Sequence, residues 1–363
     1  MNRPMHQFRH LRIRRALLVF MAGFSLAIGA SAQDPHFSQF YASPMTLNPA
    51  NTGFFYGDMR MSSTYRNQWQ SVSTPFTTTT VAADFSLFSL FSNARRPGIW
   101  ERPADCFGFG IMGMSDMSNN RGLKSSYLSM ALAYNKALAK DGEQVTQMLG
   151  LGFQSSFVSK RVDYNRFTFS RQFTPTGFDQ SLSNGEPING FRLNYLDFAT
   201  GIIYSGMNDK SQWNLGASYY HFTRPNESIS GEEHKLDPRF SVHGRINFQI
   251  TDVTSLYLSG LYMKSALAEE VTTGAVFELW LPDVEYRSNI FAGVYVRHGD
   301  AIIPQLGLKM DKLHVGLSYD VNMSRLKTGS QGRGGFELSL SFFADEINEG
   351  CKPYHPNKPY PKF

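Results

Sequence analysis

This sequence has little of what most enzymes and disulfide-built scaffolds depend on. Only two cysteines occur, Cys106 and Cys351, which excludes a dense disulfide framework and leaves room for one bridge at most. The nine histidines fall singly, without the close ligand spacing of a zinc site. There is no G-x-S-x-G elbow and no glycine-rich phosphate loop. Ser241-Val-His243 lies in a stretch where serine is simply common on polar strand faces, so it does not make a hydrolase. Charged residues are only 18 % of the chain. Beyond residue 32 no apolar run approaches the ~20 residues a membrane helix needs. These absences argue against an enzyme and against a resident metal or cofactor.

What is present begins with an export signal. Five arginines (Arg3, Arg9, Arg12, Arg14 and Arg15) precede fifteen mostly apolar residues, 16–30, and Ala30-Ser31-Ala32 closes the stretch. A basic region, a short apolar core and a small-residue exit are the marks of a secretory signal peptide over residues 1–32. No cysteine follows the cleavage point, so a lipid anchor there is not expected. With the leader gone, five of the 35 basic residues leave, and the remaining 30 match the 30 acids. A near-neutral chain lacks the basic face that phosphates require, so nucleic acid is excluded as a partner.

The rest alternates. In 336–342, Phe336, Leu338, Leu340 and Phe342 share one face while Glu337, Ser339 and Ser341 share the other, the two-residue period of a strand. Residues 315–323 repeat the pattern, and a glycine-rich turn, 327–335, joins the two. Similar stretches recur at 58–68, 77–88, 106–116, 127–137, 145–159, 193–205, 212–223, 240–249, 255–264, 271–279, 289–297 and 301–310. That makes about fourteen strands between residues 58 and 343, many near the ~9–11 residues that cross a bilayer tilted. Aromatics at 14 % fit the girdles of an outer-membrane barrel. The expected fold is therefore an all-β transmembrane barrel of about 14 antiparallel strands in the cell outer membrane. A soluble exported β-sandwich is the competing architecture, and fractionation with outer membranes would exclude it. In a barrel, Leu340→Arg should impair assembly, while Ser339→Arg or Ser341→Arg should be milder.

Three segments break the alternation. Residues 33–57 carry Pro35, Pro44 and Pro49 but also Phe37, Phe40, Tyr41, Phe54, Phe55 and Tyr56, too many aromatics for a solvated linker. They are expected to form an ordered periplasmic or mouth segment that either docks a partner or lids the barrel. Residues 162–190 form the longest loop, with Phe167, Phe169, Phe173 and Phe178; a loop this long in a compact unit is usually functional or disordered. Residues 344–363 form a Pro/Lys-rich tail with Tyr354 and Tyr360, expected in the periplasm. Of these, Phe37, Phe40, Tyr41, Phe167, Phe169, Phe173, Phe178, Tyr354 and Tyr360 are the candidate docking residues, since aromatic anchors dominate interface energetics.

Several of these stretches together resemble the PorP/SprF family: QDPHFSQFYASPMTLNPA at 33–50, YRNQW at 65–69, HFTRPNES at 221–228 and KLDPR at 235–239. RHGDA at 297–301, SYDVNMS at 318–324 and GGFELS at 334–339 continue it. The tail departs from the family pattern in having Cys351-Lys352-Pro353 where Cys-Pro is expected. The resemblance implies an outer-membrane component of the type IX secretion machinery, and of gliding machinery, that helps particular cargo reach or stay at the cell surface. Implied partners are the translocon, its periplasmic ring, and secreted cargo with a C-terminal targeting domain. A general diffusion porin is the alternative; the two aromatic-rich irregular segments favour an occluded lumen instead.

Overall fold

The structure, a computed structural model, describes residues 34–344 apart from 56–58, 72–73, 88–104, 119–120, 142–143, 186–189, 209, 229–232, 282–287, 311 and 325–326. The leader, residues 1–32, and the tail from 345 onward lie outside the described residues. The strands are β1 (Met59–Gln68), β2 (Phe76–Ser86), β3 (Cys106–Ser118), β4 (Leu123–Asp141) and β5 (Gln144–Asp163). A two-residue ladder, β6 (Phe173–Thr174) with β7 (Gly177–Phe178), interrupts them. They resume with β8 (Gly190–Met207), β9 (Ser211–Tyr220), β10 (Arg239–Thr251), β11 (Thr254–Ser265) and β12 (Ala268–Leu281). Last come β13 (Ser288–Arg297), β14 (Ala301–Met310), β15 (Leu313–Asn322) and β16 (Arg333–Ala344).

Fourteen of these form one closed antiparallel barrel, each strand pairing its neighbours in the chain and β1 closing on β16. Met59 faces Ala344 across that seam and Gln68 faces Gly335. The chain thus enters and leaves the barrel at the same end, called here the near end; the loop residues 164–185 lie at the far end. Closure leaves no unpaired ladder edge, the condition for backbone to sit in hydrocarbon.

Side-chain alternation decides the faces. Val81, Leu128, Leu132, Leu151, Leu196, Leu215 and Leu306 are each more than half exposed on the outer surface. So large an apolar exterior marks a surface meant for something other than water. Phe336, Leu340 and Phe342 point outward while Glu337 and Ser339 are buried inward. Among the described residues no helix is long and apolar enough to cross a membrane.

The tallest strands run past their apolar stretches. β4, β5 and β8 have 19, 20 and 18 residues, against the 127–137, 145–159 and 193–205 expected from alternation. Many of the added residues are polar, such as Lys124-Ser125-Ser126 and Lys160-Arg161, so hydrophobic period misses them. The ladder continues regardless, with Leu123 on Val162 and Lys160 on Leu193. At the far end β8 outruns β9, whose last residue, Tyr220, pairs with Ala199.

Candidate functional site

The polar inner face would line a water-filled channel if nothing occupied it. Instead residues 35–55 run through the lumen from the far end to the near end. Three proline- or aromatic-rich turns, Phe40–Ala42, Pro44–Leu47 and Pro49–Asn51, fold the segment into short helical pieces. Such pieces leave many backbone donors and acceptors without intrahelical partners, and the barrel wall supplies them.

Near the far end His36 Nε2 lies 2.9 Å from Glu270 Oε2. Deeper in, the Glu337 carboxylate accepts the backbone N–H groups of Ser38 at 2.8 Å and Gln39 at 2.7 Å. Arg66 donates to Glu337 at 2.9 Å and to Asp320 at 2.8 Å. Arg297 donates to the same Asp320 at 2.9 Å and to Ser38 Oγ at 2.8 Å, while Ser38 Oγ donates to Asp320 Oδ1 at 2.7 Å. Two guanidiniums and two carboxylates, all buried, balance each other around one serine. Charges this enclosed persist only when paired and hydrogen-bonded.

In the middle, Phe40 packs in the apolar cluster with Tyr257 and Tyr295, its ring edge-on to Tyr295 at 5.8 Å. Asn48 does two jobs: its Oδ1 caps the turn by accepting from Ala50 N at 2.9 Å, and its Nδ2 donates to the Ile202 carbonyl at 3.0 Å. Ser218 and Tyr220 hydroxyls donate to the carbonyls of Leu47 and Met45 at 2.9 and 3.0 Å. At the near end Arg60 reaches Asp84 with both Nε and Nη2, at 3.0 and 2.7 Å, and donates to the Asn51 carbonyl at 3.0 Å. Asp84 in turn accepts from Gly53 N at 2.8 Å. Two wall glycines let the backbones touch: a Cβ at Gly152 would meet Ala50 N at 2.2 Å, and one at Gly108 would meet the Thr52 carbonyl at 2.0 Å.

Phe37 and Phe40 are buried at 3 % and 4 % exposure, and Tyr41 lies against Arg245. The aromatic segment is ordered, and what it packs against is its own barrel. In the far loop Phe167 and Phe169 gather about Tyr164, with ring centroids 6.4 Å apart in each pair. Phe173 and Phe178 face each other across the β6–β7 ladder and point out, Phe173 at 73 % exposure. Gln172 holds this loop's base, donating to the Leu182 carbonyl at 3.0 Å and accepting from Phe169 N at 3.2 Å. Tyr354, Tyr360 and Cys351 lie outside the described residues; Cys106 is buried, its Sγ 3.0 Å from Ser86 Oγ. Among the described residues no group of three His, Cys, Asp or Glu is placed to hold a metal.

The charged residues that anchor the segment (Arg60, Arg66, Asp84, Arg297, Asp320 and Glu337) were not among the sequence candidates. Their signal was present: each sits on the polar face of a strand, where an ionised group needs a partner across the lumen.

The sequence matches the family described as Type IX secretion system membrane protein PorP/SprF over residues 29–342. The chain belongs to the PorP/SprF family. With the closed barrel and its apolar exterior, this makes it an outer-membrane component of type IX secretion. No match was found among curated proteins. Similar solved structures include a Pseudomonas aeruginosa FadL homologue, at 13 % identity over 81 % of this chain and 92 % of that one, TM-score 0.45. Others are the Ralstonia pickettii toluene transporter TbuX (10 % identity, 83 % and 91 % covered, TM-score 0.42) and CdiB from Acinetobacter baumannii (7 % identity, 78 % and 60 % covered, TM-score 0.40). Likenesses this distant carry no inference about what the PorP/SprF barrel moves or binds.

Proposed function

We propose that this PorP/SprF barrel is a non-catalytic docking component that assists secretion or surface attachment of specific cargo carrying a C-terminal targeting domain. The observation that carries the reading is the filled lumen: residues 35–55 are hydrogen-bonded at both ends to buried, ion-paired side chains of the wall, which disfavours a conduit and leaves the outside of the barrel for partners. The loop residues 164–185 are the surface that fits cargo, because they fold on themselves and still present Phe173 and Phe178 to solvent. With the near end in the periplasm, that loop faces the cell exterior, and the tail, residues 344–363, faces the periplasmic ring of the translocon. A role in gliding would follow if the cargo includes a surface adhesin.

Deleting 166–187 should leave the barrel in the outer membrane and release or strand one class of surface protein. Replacing the tail should weaken co-purification with the secretion machinery. Normal retention of every surface protein and unchanged pull-downs in both variants would refute these docking roles.

A further inference from the structure

A cavity of about 110 Å³ lies between the lumenal segment and the wall, toward the near end, where Ser341 and Phe343 border it. That is well above the ~10–15 Å³ needed to hold one water. Its lining is uneven. Phe40, Tyr257, Phe291 and Tyr295 make an aromatic side, while Arg60, Arg245 and Lys309 bring cationic groups against a single acid, Glu278.

Two of those cations are already satisfied. Arg60 is paired with Asp84, and Lys309 Nζ is 2.6 Å from Glu278 Oε2. Arg245 differs. Its guanidinium lies over the rings of Tyr41 and Tyr257, 4.4 and 4.8 Å from their centroids. Among the described residues it makes no ion pair or hydrogen bond, and its Nε is buried without a partner. Tyr41 lines the same cavity, and its hydroxyl is also buried and unpartnered. A half-buried guanidinium resting against two aromatic rings keeps a planar edge of donors for a partner. Such a group in a low-dielectric site attracts an anion strongly.

We infer that this cavity is a binding site for a small organic oxyanion, its carboxylate or phosphate head held by Arg245 and the Tyr41 hydroxyl and its apolar body lying among Phe40, Phe291 and Tyr295. The inference is independent of the cargo reading, since it concerns the lumen and not the far loop. Entry would be from the near end, so the ligand would come from the compartment that end faces.

Purified full-length barrel in detergent would be titrated calorimetrically with benzoate, with its neutral isostere benzamide, and with inorganic phosphate. Benzoate should bind saturably at one site, benzamide at least tenfold more weakly, and phosphate more weakly than benzoate. Arg245→Met should lower benzoate affinity by tenfold or more and Tyr41→Phe by a smaller factor, with both variants keeping wild-type heat-modifiability on gels. Should Arg245→Met fail to assemble, Tyr41→Phe and the benzamide comparison still decide. Absent benzoate binding, equal binding of benzamide, or undiminished binding in the variants would overturn the site. Phosphate binding as tightly as benzoate would overturn its apolar half.

Discussion

Arg66 illustrates how much a single inward residue controls. It joins β1 to Asp320 on β15 and Glu337 on β16, and through them to the backbone of the lumenal segment. Removing one partner of a buried ion pair leaves the others uncompensated, at about 3–5 kcal/mol. Arg66→Met should therefore lower the midpoint of heat-induced unfolding on gels, whereas Lys235→Met, in an exposed pair with Glu233, should leave it within error. On the outer face, Leu340→Arg should cost about 2–4 kcal/mol if it lies near the bilayer midplane, read as loss of folded barrel in detergent-solubilised membranes. The inward serines no longer form a single class. Ser339 donates to Gln39 Oε1 at 2.8 Å, so Ser339→Arg should also damage assembly, while Ser341 borders the cavity and Ser341→Arg should be tolerated. Equal effects at 339 and 341 would contradict the placement of Gln39.

The strands themselves were legible in the sequence, because burying one face in lipid and the other in a polar lumen imposes a period of two that few other folds need over so many segments. Their lengths were less so: Lys124, Lys160 and Arg161 lie beyond the apolar stretch yet remain in the ladder, and a charged residue in a strand end looks like a loop. Least legible was the segment 35–55. Its aromatics showed that it is ordered, but nothing local says that Ser38 meets Asp320 and Glu337, nearly three hundred residues away, since that contact exists only once the barrel has closed. The wall carries one readable trace of it, in glycines at Gly108 and Gly152 where a strand would ordinarily prefer a side chain to pack. Gly152→Val should push Pro49 and Ala50 off the wall without breaking the β4–β5–β8 ladders. A cysteine placed at Ala50, buried in the wild type, should then become reactive toward a water-soluble maleimide; continued protection would show that the segment is not seated there.

For the whole molecule, the filled lumen sets the expected electrical behaviour. The intact barrel should pass little current in planar bilayers, and a variant lacking 35–55 that still assembles should show larger unitary steps. Large, steady steps from the intact protein would favour a diffusion porin. The direction in which the segment runs has another consequence. His36 lies beside Glu270 toward the far end, and Gly53 lies beside Asp84 at the near end, so the chain passes through the ring before becoming part of it, like thread already in the eye of a needle. The β1–β16 seam is thus a clasp that must shut around its own leading end, or else that end must be fed through a finished hoop. A tight, folded passenger fused just ahead of Pro35 tells the two orders apart: a clasp closes with the passenger held at the far mouth, whereas a finished hoop leaves it stranded on the near side.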